Sequence, residues 1–350
     1  MTTKNRNLKV DKINYGFSET LFSMSNNQPR LSIGLPVYNG DKFLKEAIDS
    51  LLAQTFEDFE LIISDNASTD KTEEICRAYA EQDKRIRYYR NEKNIGCACN
   101  FNRTFELSSG EYFKWAAYDD LHAPDFLMKC VEVLDKDPTV ILCHSHAYFI
   151  DKHGKFIQNY EIKLKTDLLQ PHKRFHELLS RHVNYQCYGV IRASALRMVP
   201  PMGSYAQADA TLLLRLGLLG RFYEIPEYLF FARYHLQQSM SMFCPNYLLV
   251  INDDPKELLR MNSDLYAYSV WFDSANEGKI LLPHWTILWE YSRSIWLFQL
   301  SLYERLRCHL SLYTQLKGTE YLLLKDLFKV IQILWERWQI PSNKEQQITL

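Results

Sequence analysis

Between residues 31 and 117, four short apolar runs alternate with segments of helical spacing, joined by short connections. LSIGL (31–35), ELIIS (60–64), IRYYR (86–90) and EYFKWAA (111–117) have the length and composition of buried strands. After the first run, Leu44, Ala47, Ile48 and Leu51 fall on one helix face, with Asp41 placed to cap it. A second helix is expected from about Lys71, where Asp70 and Glu73 have the spacing of a capping box. A third reaches about Leu107. This alternation predicts a parallel sheet covered by helices on both faces. Such sheets bind ligands beyond the carboxyl ends of their strands. Three polar loops fall there: Pro36-Val37-Tyr38-Asn39, Ser64-Asp65-Asn66 and Tyr118-Asp119-Asp120.

Beyond residue 124 the rhythm changes. A helix is expected over 124–136, a strand near 140–150 and a turn at Asp151-Lys152-His153-Gly154, before a mixed region to about 240. From about 245 the chain reads as helical and carries six of its 7 Trp. Leu288, Tyr291, Ile295, Phe298, Leu302 and Leu306 form one apolar stripe; Leu324, Leu327, Ile331, Leu334 and Trp338 form another. Residues 1–29, polar and weakly periodic, are expected to be a mobile arm. The chain thus divides into 1–29, 30–244 and a helical region, 245–350.

Composition narrows the function classes. Lys+Arg number 41 against 42 Asp+Glu, and a net charge of −1 excludes a general nucleic-acid binder. The 8 Cys contain no CxxC pair and no apolar leader opens the chain, so reduced thiols in a cytoplasmic protein are expected. No run of about 18 uncharged apolar residues occurs, so no membrane span is expected. The nearest candidate, Ile280 to Leu300, is interrupted by Pro283, His284, Glu290 and Arg293.

Chemistry concentrates in a few carboxylates. Asp119 and Asp120, directly after an apolar strand, suit a hard divalent ion that bridges a diphosphate, or else a solvated loop. Asp65 stands where it would accept hydrogen bonds from a base or ribose, or brace its own turn. Taken together, LSIGLPVYNGDKFLKEAIDSLLAQTFEDFELIISDNASTDKT and RNEKNIGCACNFNRTFELSSGEYFKWAAYDD resemble glycosyltransferase family 2, over about residues 31–240. The resemblance implies a GT-A fold: a three-layer αβα sandwich on a mostly parallel sheet, here followed by a C-terminal helical extension.

It also implies a nucleotide-sugar donor, most often a UDP-sugar, and work in polysaccharide or cell-envelope synthesis. Pro36, Tyr38 and Asp65 match positions lining the nucleotide pocket. Asn94 and Gly96 match an N-x-G segment beside it, and Lys114 enters the acidic loop. The family's D-x-D reads Ala117-Tyr118-Asp119-Asp120 here, so the first Asp is absent. Asp119 keeps the metal position, with Asp120 as a substitute second ligand and His235 (in ARYH) near the metal, which would be Mn or Mg. Asp209, in AQADATLLL, matches the general base, although the residue before it is Ala208 rather than an acid. It stands at an expected helix start, whose dipole favours its charged form; a plain capping role is the alternative. Arg233 is a further diphosphate candidate.

The resemblance ends near 245. The tail's stripes would pack on the catalytic domain, form a homodimer, or rest on a bilayer. Arg305, Arg307, Lys325, Lys329 and Arg337 suit the last, while Glu304, Glu320, Asp326 and Glu336 dilute the charge. The sequence thus reads as a metal-assisted, inverting glycosyltransferase acting on a glycan or lipid-linked acceptor, cytoplasmic, with peripheral contact at the inner face of the plasma membrane open. The rival readings are a non-catalytic sugar-nucleotide scaffold of a glycan assembly complex and a nucleotidyltransferase. Against the latter, no glycine-rich basic phosphate loop occurs near residue 36.

Overall fold

A computed structural model describes residues 28–179, 184–243, 248, 264–318 and 320–339. The arm expected over residues 1–29 lies outside the described residues up to residue 27. The strands are β1 (Leu31–Val37), β2 (Phe59–Asp65), β3 (Ile86–Arg90), β4 (Tyr112–Trp115), β5 (Leu121–His122), β6 (Val140–Ile150), β7 (Phe156–Asn159), β8 (Val190–Arg192) and β9 (Arg221–Arg233). They form one sheet in the order β3-β2-β1-β4-β8-β6-β9-β5, with β7 on the edge of β6. β1 to β4 are mutually parallel, as the alternation predicts. The other half is mixed: β8 runs antiparallel to β4 and β6, while β9 returns parallel to β6. The mostly parallel sheet expected from sequence therefore describes the first half only.

Helices cover both faces. α1 (Leu44–Leu52), α2 (Thr72–Gln82) and α4 (Phe126–Lys136) bury their apolar stripes on one side with Leu31, Ile33 and Leu35. α3 (Cys97–Glu106), α5 (Pro171–Leu179), α6 (Ala193–Arg197) and α7 (Ala208–Leu219) cover the other. Strand alternation sorts the side chains between these cores: Tyr112 points into the first, Phe113 and Trp115 into the second. Gly34 lets α3 close on β1, since a Cβ there would lie 2.4 Å from Thr104 Oγ1.

Helix starts differ from the sequence reading. α1 begins after Phe43 with no side-chain cap, and Asp41 instead donates its backbone N–H to Asp70. Asp70 does accept the Thr72 N–H at the head of α2, but Glu73 turns outward to Arg77 and Arg90, so the reciprocal arm of the box is missing.

The later helices span Leu265–Phe272, Pro283–Trp296, Leu302–Leu316 and Glu320–Gln339. The stripe from Leu288 to Leu306 is thus divided between two helices. Ser301, whose Oγ accepts the Glu304 N–H, caps the second of them. Phe272, Ile295 and Cys308 join the core behind α5 and α7. Three buried polar locks add to that packing: Arg215 to Glu290, His172 to Glu304 and His284 to Asp326. No described helix is long and apolar enough to cross a membrane.

Candidate active site

The carboxyl ends of β1, β2 and β4 open on a cavity of about 830 Å³. Its loops are fixed by their own polar side chains. Asn39 donates its N–H to Ser68 and accepts the Thr69 N–H, and Gly40 donates to Thr72, so the loops after β1 and β2 are stitched together. The non-glycine residues described with positive φ are Asn39, Ala67 and Gln207, at 52°, 61° and 63°. All three lie in loops that build this site, where a sparsely populated backbone state is held by its surroundings.

Behind the cavity runs an asparagine network. Asn66 donates to Asn94 at 2.9 Å, Asn91 donates to Asn66 and Asn100 at 3.0 Å, and Asn100 donates to the Ser64 carbonyl at 2.9 Å. Asn94 in turn accepts the Gly96 N–H. Sequence reading singled out Asn94 and Gly96 and placed Asn66 in a loop at the ligand edge; the recurrence of Asn at 91, 94 and 100 was the further signal available. Gly96 has φ +85°, and a Cβ there would lie 2.7 Å from both the Phe272 carbonyl and the Asp273 Cα. It therefore seats the end of the helix Leu265–Phe272 against the head of α3.

Pro36, Tyr38, Asn94, Gly96, Asp119, Asp120 and Asp209 all line the cavity. Two expected nucleotide contacts do not. Lys114 is fully buried on the α4 face of the sheet, where its ammonium donates to the Trp115 and Tyr188 carbonyls and sits 4.9 Å from the Phe126 ring. Burial pushes its pKa down to about 7, and the position expected to enter the nucleotide pocket is a core residue. Asp65 is likewise fully buried; it accepts the Ser68 N–H, the Tyr88 hydroxyl and Arg90. Of the two readings of Asp65, bracing its own turn is the one this arrangement displays.

The acidic loop is clamped from below. Arg233 donates its backbone N–H to Asp120 Oδ1 at 2.9 Å and its Nε to the Asp119 carbonyl at 2.8 Å. Its far end reaches Glu46, and its guanidinium lies 4.8 Å over the Phe43 ring. Arg233 is therefore spent on positioning the loop and is not a free diphosphate ligand. Asp120 differs from the second-ligand expectation: one oxygen is taken by Arg233, and burial beside Asp119 raises its pKa well above the usual carboxylate range.

Asp119 is free of that bond and meets His235, whose Nε2 lies 2.8 Å from Asp119 Oδ2. The other ring nitrogen, His235 Nδ1, is buried without a hydrogen-bond partner. No group of three His, Cys, Asp or Glu converges among the described residues. The donor set here is a carboxylate and an imidazole. With an imidazole beside the carboxylate, that set fits Mn better than Mg, which takes oxygen ligands; the remaining positions would be filled by substrate phosphates and water.

Asp209 stands in the first turn of α7. Asn184 donates to its Oδ2 at 2.9 Å, while its Oδ1 is buried with no partner. Burial raises its pKa, and the Asn184 bond opposes the shift. An unpartnered carboxylate oxygen on a cavity wall can accept a proton. Asn184 was not singled out from sequence, and nothing around position 184 marks it.

Residues 32–199 match the family model described as Glycosyl transferase family 2. They form a family 2 glycosyltransferase domain. Its relatives include an uncharacterised glycosyltransferase of Methanocaldococcus jannaschii, 33% identical over 137 residues, which are 39% of this chain and 47% of that protein. Another, from Haemophilus influenzae, is 33% identical over 143 residues, 41% of this chain and 57% of its own. The matches thus span less than two thirds of either relative. Among solved structures, S. aureus TarS in complex with UDP-GlcNAc superposes with a TM-score of 0.50 at 15% identity, covering 83% of this chain and 92% of that one. The transferase domain has the GT-A fold.

Proposed function

We propose that the chain transfers a sugar from a nucleoside-diphosphate donor, a UDP-sugar first among candidates, to a glycan or lipid-linked acceptor with inversion of configuration. The observation that carries the reading is the pairing of two different acids on one cavity: Asp119 against His235, and Asp209 with a free oxygen. The nucleotide would lie against Pro36, Tyr38, Asn94 and Gly96. Asp119 and His235 would hold a Mn or Mg ion. When bound, that ion supplies Lewis-acid stabilisation of the departing diphosphate.

Asp209 takes the proton of an acceptor hydroxyl as its oxygen bonds to the anomeric carbon. The bond from that carbon to the diphosphate oxygen breaks, and the nucleoside diphosphate leaves. A single displacement of this kind inverts the anomeric centre. Arg233 and Asp120 hold the loop that presents Asp119. In this reading residues 30–244 contain the catalytic domain and the described helices after residue 264 complete its cavity.

The test is a screen of nucleotide sugars, beginning with UDP-GlcNAc because TarS shares the fold and was solved with it. Purified full chain with Mn is expected to release nucleoside diphosphate from one donor and deposit the sugar on an acceptor. UDP binding with no release or transfer from any donor would favour the scaffold reading instead.

A further inference from the structure

Resting on that reading, we propose that the transferase cavity includes a seat for the hydrocarbon chain of a lipid-linked acceptor, built by the helices after residue 264. The cavity does not end at the polar loops. The same continuous space reaches Leu178, Leu265, Leu288, Leu312, Leu316 and Leu323, drawn from α5 and all four later helices. Of the elements lining this arm, only α5 lies within the matched family segment. A polar donor with two phosphates and a sugar gains nothing from leucine walls. An extended alkyl or isoprenoid chain gains about fourfold in affinity for each methylene it buries.

The outer faces of the same helices favour a lipid source. Leu302, Leu306, Leu310 and Tyr313 are exposed on Leu302–Leu316, and Leu324, Phe328, Ile331, Trp335 and Trp338 on Glu320–Gln339. Hydrocarbon therefore lines most of the arm inside, beside Tyr268, His284, Tyr291 and Gln315, and coats its walls outside. Two of the acids that dilute the tail's charge in sequence are turned inward: Glu304 binds His172 and Asp326 binds His284. Arg307, Lys317, Lys325 and Lys329 remain exposed on these walls, together with Glu320 and Glu336. An apolar surface with basic flanks is one that rests against a bilayer.

The test is equilibrium binding of hexyl, octyl and decyl glucoside to the full chain, below their micelle concentrations, with glucose as control. Affinity is expected to rise about fourfold per methylene and to level off once the arm is full. Leu288→Glu and Leu316→Glu are each expected to weaken decyl glucoside at least tenfold and leave UDP affinity unchanged; retained UDP binding certifies that the variants are folded. Farnesyl glucoside against decyl glucoside separates the sources: tighter binding of the first assigns an isoprenoid carrier, of the second a straight acyl chain. Affinity independent of chain length, or insensitive to both substitutions, overturns the seat. Loss of UDP binding in the wild-type chain with the chain-length series intact would instead strike the donor reading and leave the seat standing.

Discussion

Two regions meet in one cavity and are built on opposite plans. The loops after β1, β2, β3 and β4 present polar side chains, among them Asn39, held by Ser68 and Thr69, Asn94 by Asn66, and Asp119 by His235. The helices from Leu265 onward bring mainly hydrocarbon to the same space, with a few polar groups such as His284 and Gln315, and hold polar locks behind it, such as Glu290 to Arg215. The difference teaches where each kind of recognition resides. Groups proposed to meet phosphates and a proton are held by hydrogen-bond networks, which tolerate little displacement. A wall of leucines fixes no register and suits a partner defined by its length and greasiness.

The largest effect expected from breaking this arrangement comes at Asp209. Asp209→Asn keeps the shape of the polar end but removes the proton acceptor. Turnover should fall by about 10²–10⁴-fold, while the donor dissociation constant, measured by calorimetry, stays the same. Equal losses in both would place Asp209 in donor binding.

Next in size is the contact between the two regions. Gly96→Ala puts a methyl group into the Phe272 carbonyl at a residue with φ +85°, and should cost about 1–3 kcal/mol in urea denaturation. Gly154→Ala is the control, since Gly154 also has positive φ (+78°) but no atom within 4 Å of its added Cβ. Its cost should be the smaller, about 1 kcal/mol. Equal costs would mean that the later helices do not press on the loop at Gly96.

A separate effect, spread over a range of pH, concerns the core beneath the site. Lys114 titrates near 7 in the fold against 10.5 when exposed. Between those values the unfolded chain holds one more proton, so stability rises with pH across that window, by at most about 1.4 kcal/mol per pH unit. Lys114→Met should flatten the slope of unfolding free energy between pH 7 and 9. An unchanged slope would show that Lys114 is not its source.

The polar region was largely legible in sequence, because strand alternation and loop position follow from local pattern. Pro36, Tyr38 and Asp119 fall in loops that the alternation places, Asn94, Gly96 and Asp209 came from the family resemblance, and all six line the cavity. Lys114 was misplaced by attending to its nearness to the acidic loop. Alternation with Phe113 and Trp115 puts it on the face shared with Tyr112, which α4 covers. The apolar region was much less legible. Spacing of three and four ran through residues 288–306 as one stripe, yet Ser301-x-x-Glu304 is itself a helix-start signature that divides it. That inner faces of separate helices would complete a cavity reaching Asp119 is a tertiary fact, with no local pattern to announce it.

The central claim is that Asp209 is the base, its carboxylate tuned by burial on one side and Asn184 on the other. The most direct measurement is the pH dependence of kcat/KM for the wild-type chain and for Asn184→Ala. Burial raises the Asp209 pKa, so the wild-type rate should fall on acidification with its limb above the ordinary carboxylate range. Asn184 donates to the charged form and draws that pKa down; its removal should move the acid limb to higher pH. A limb at the same pH in both proteins would contradict the assignment.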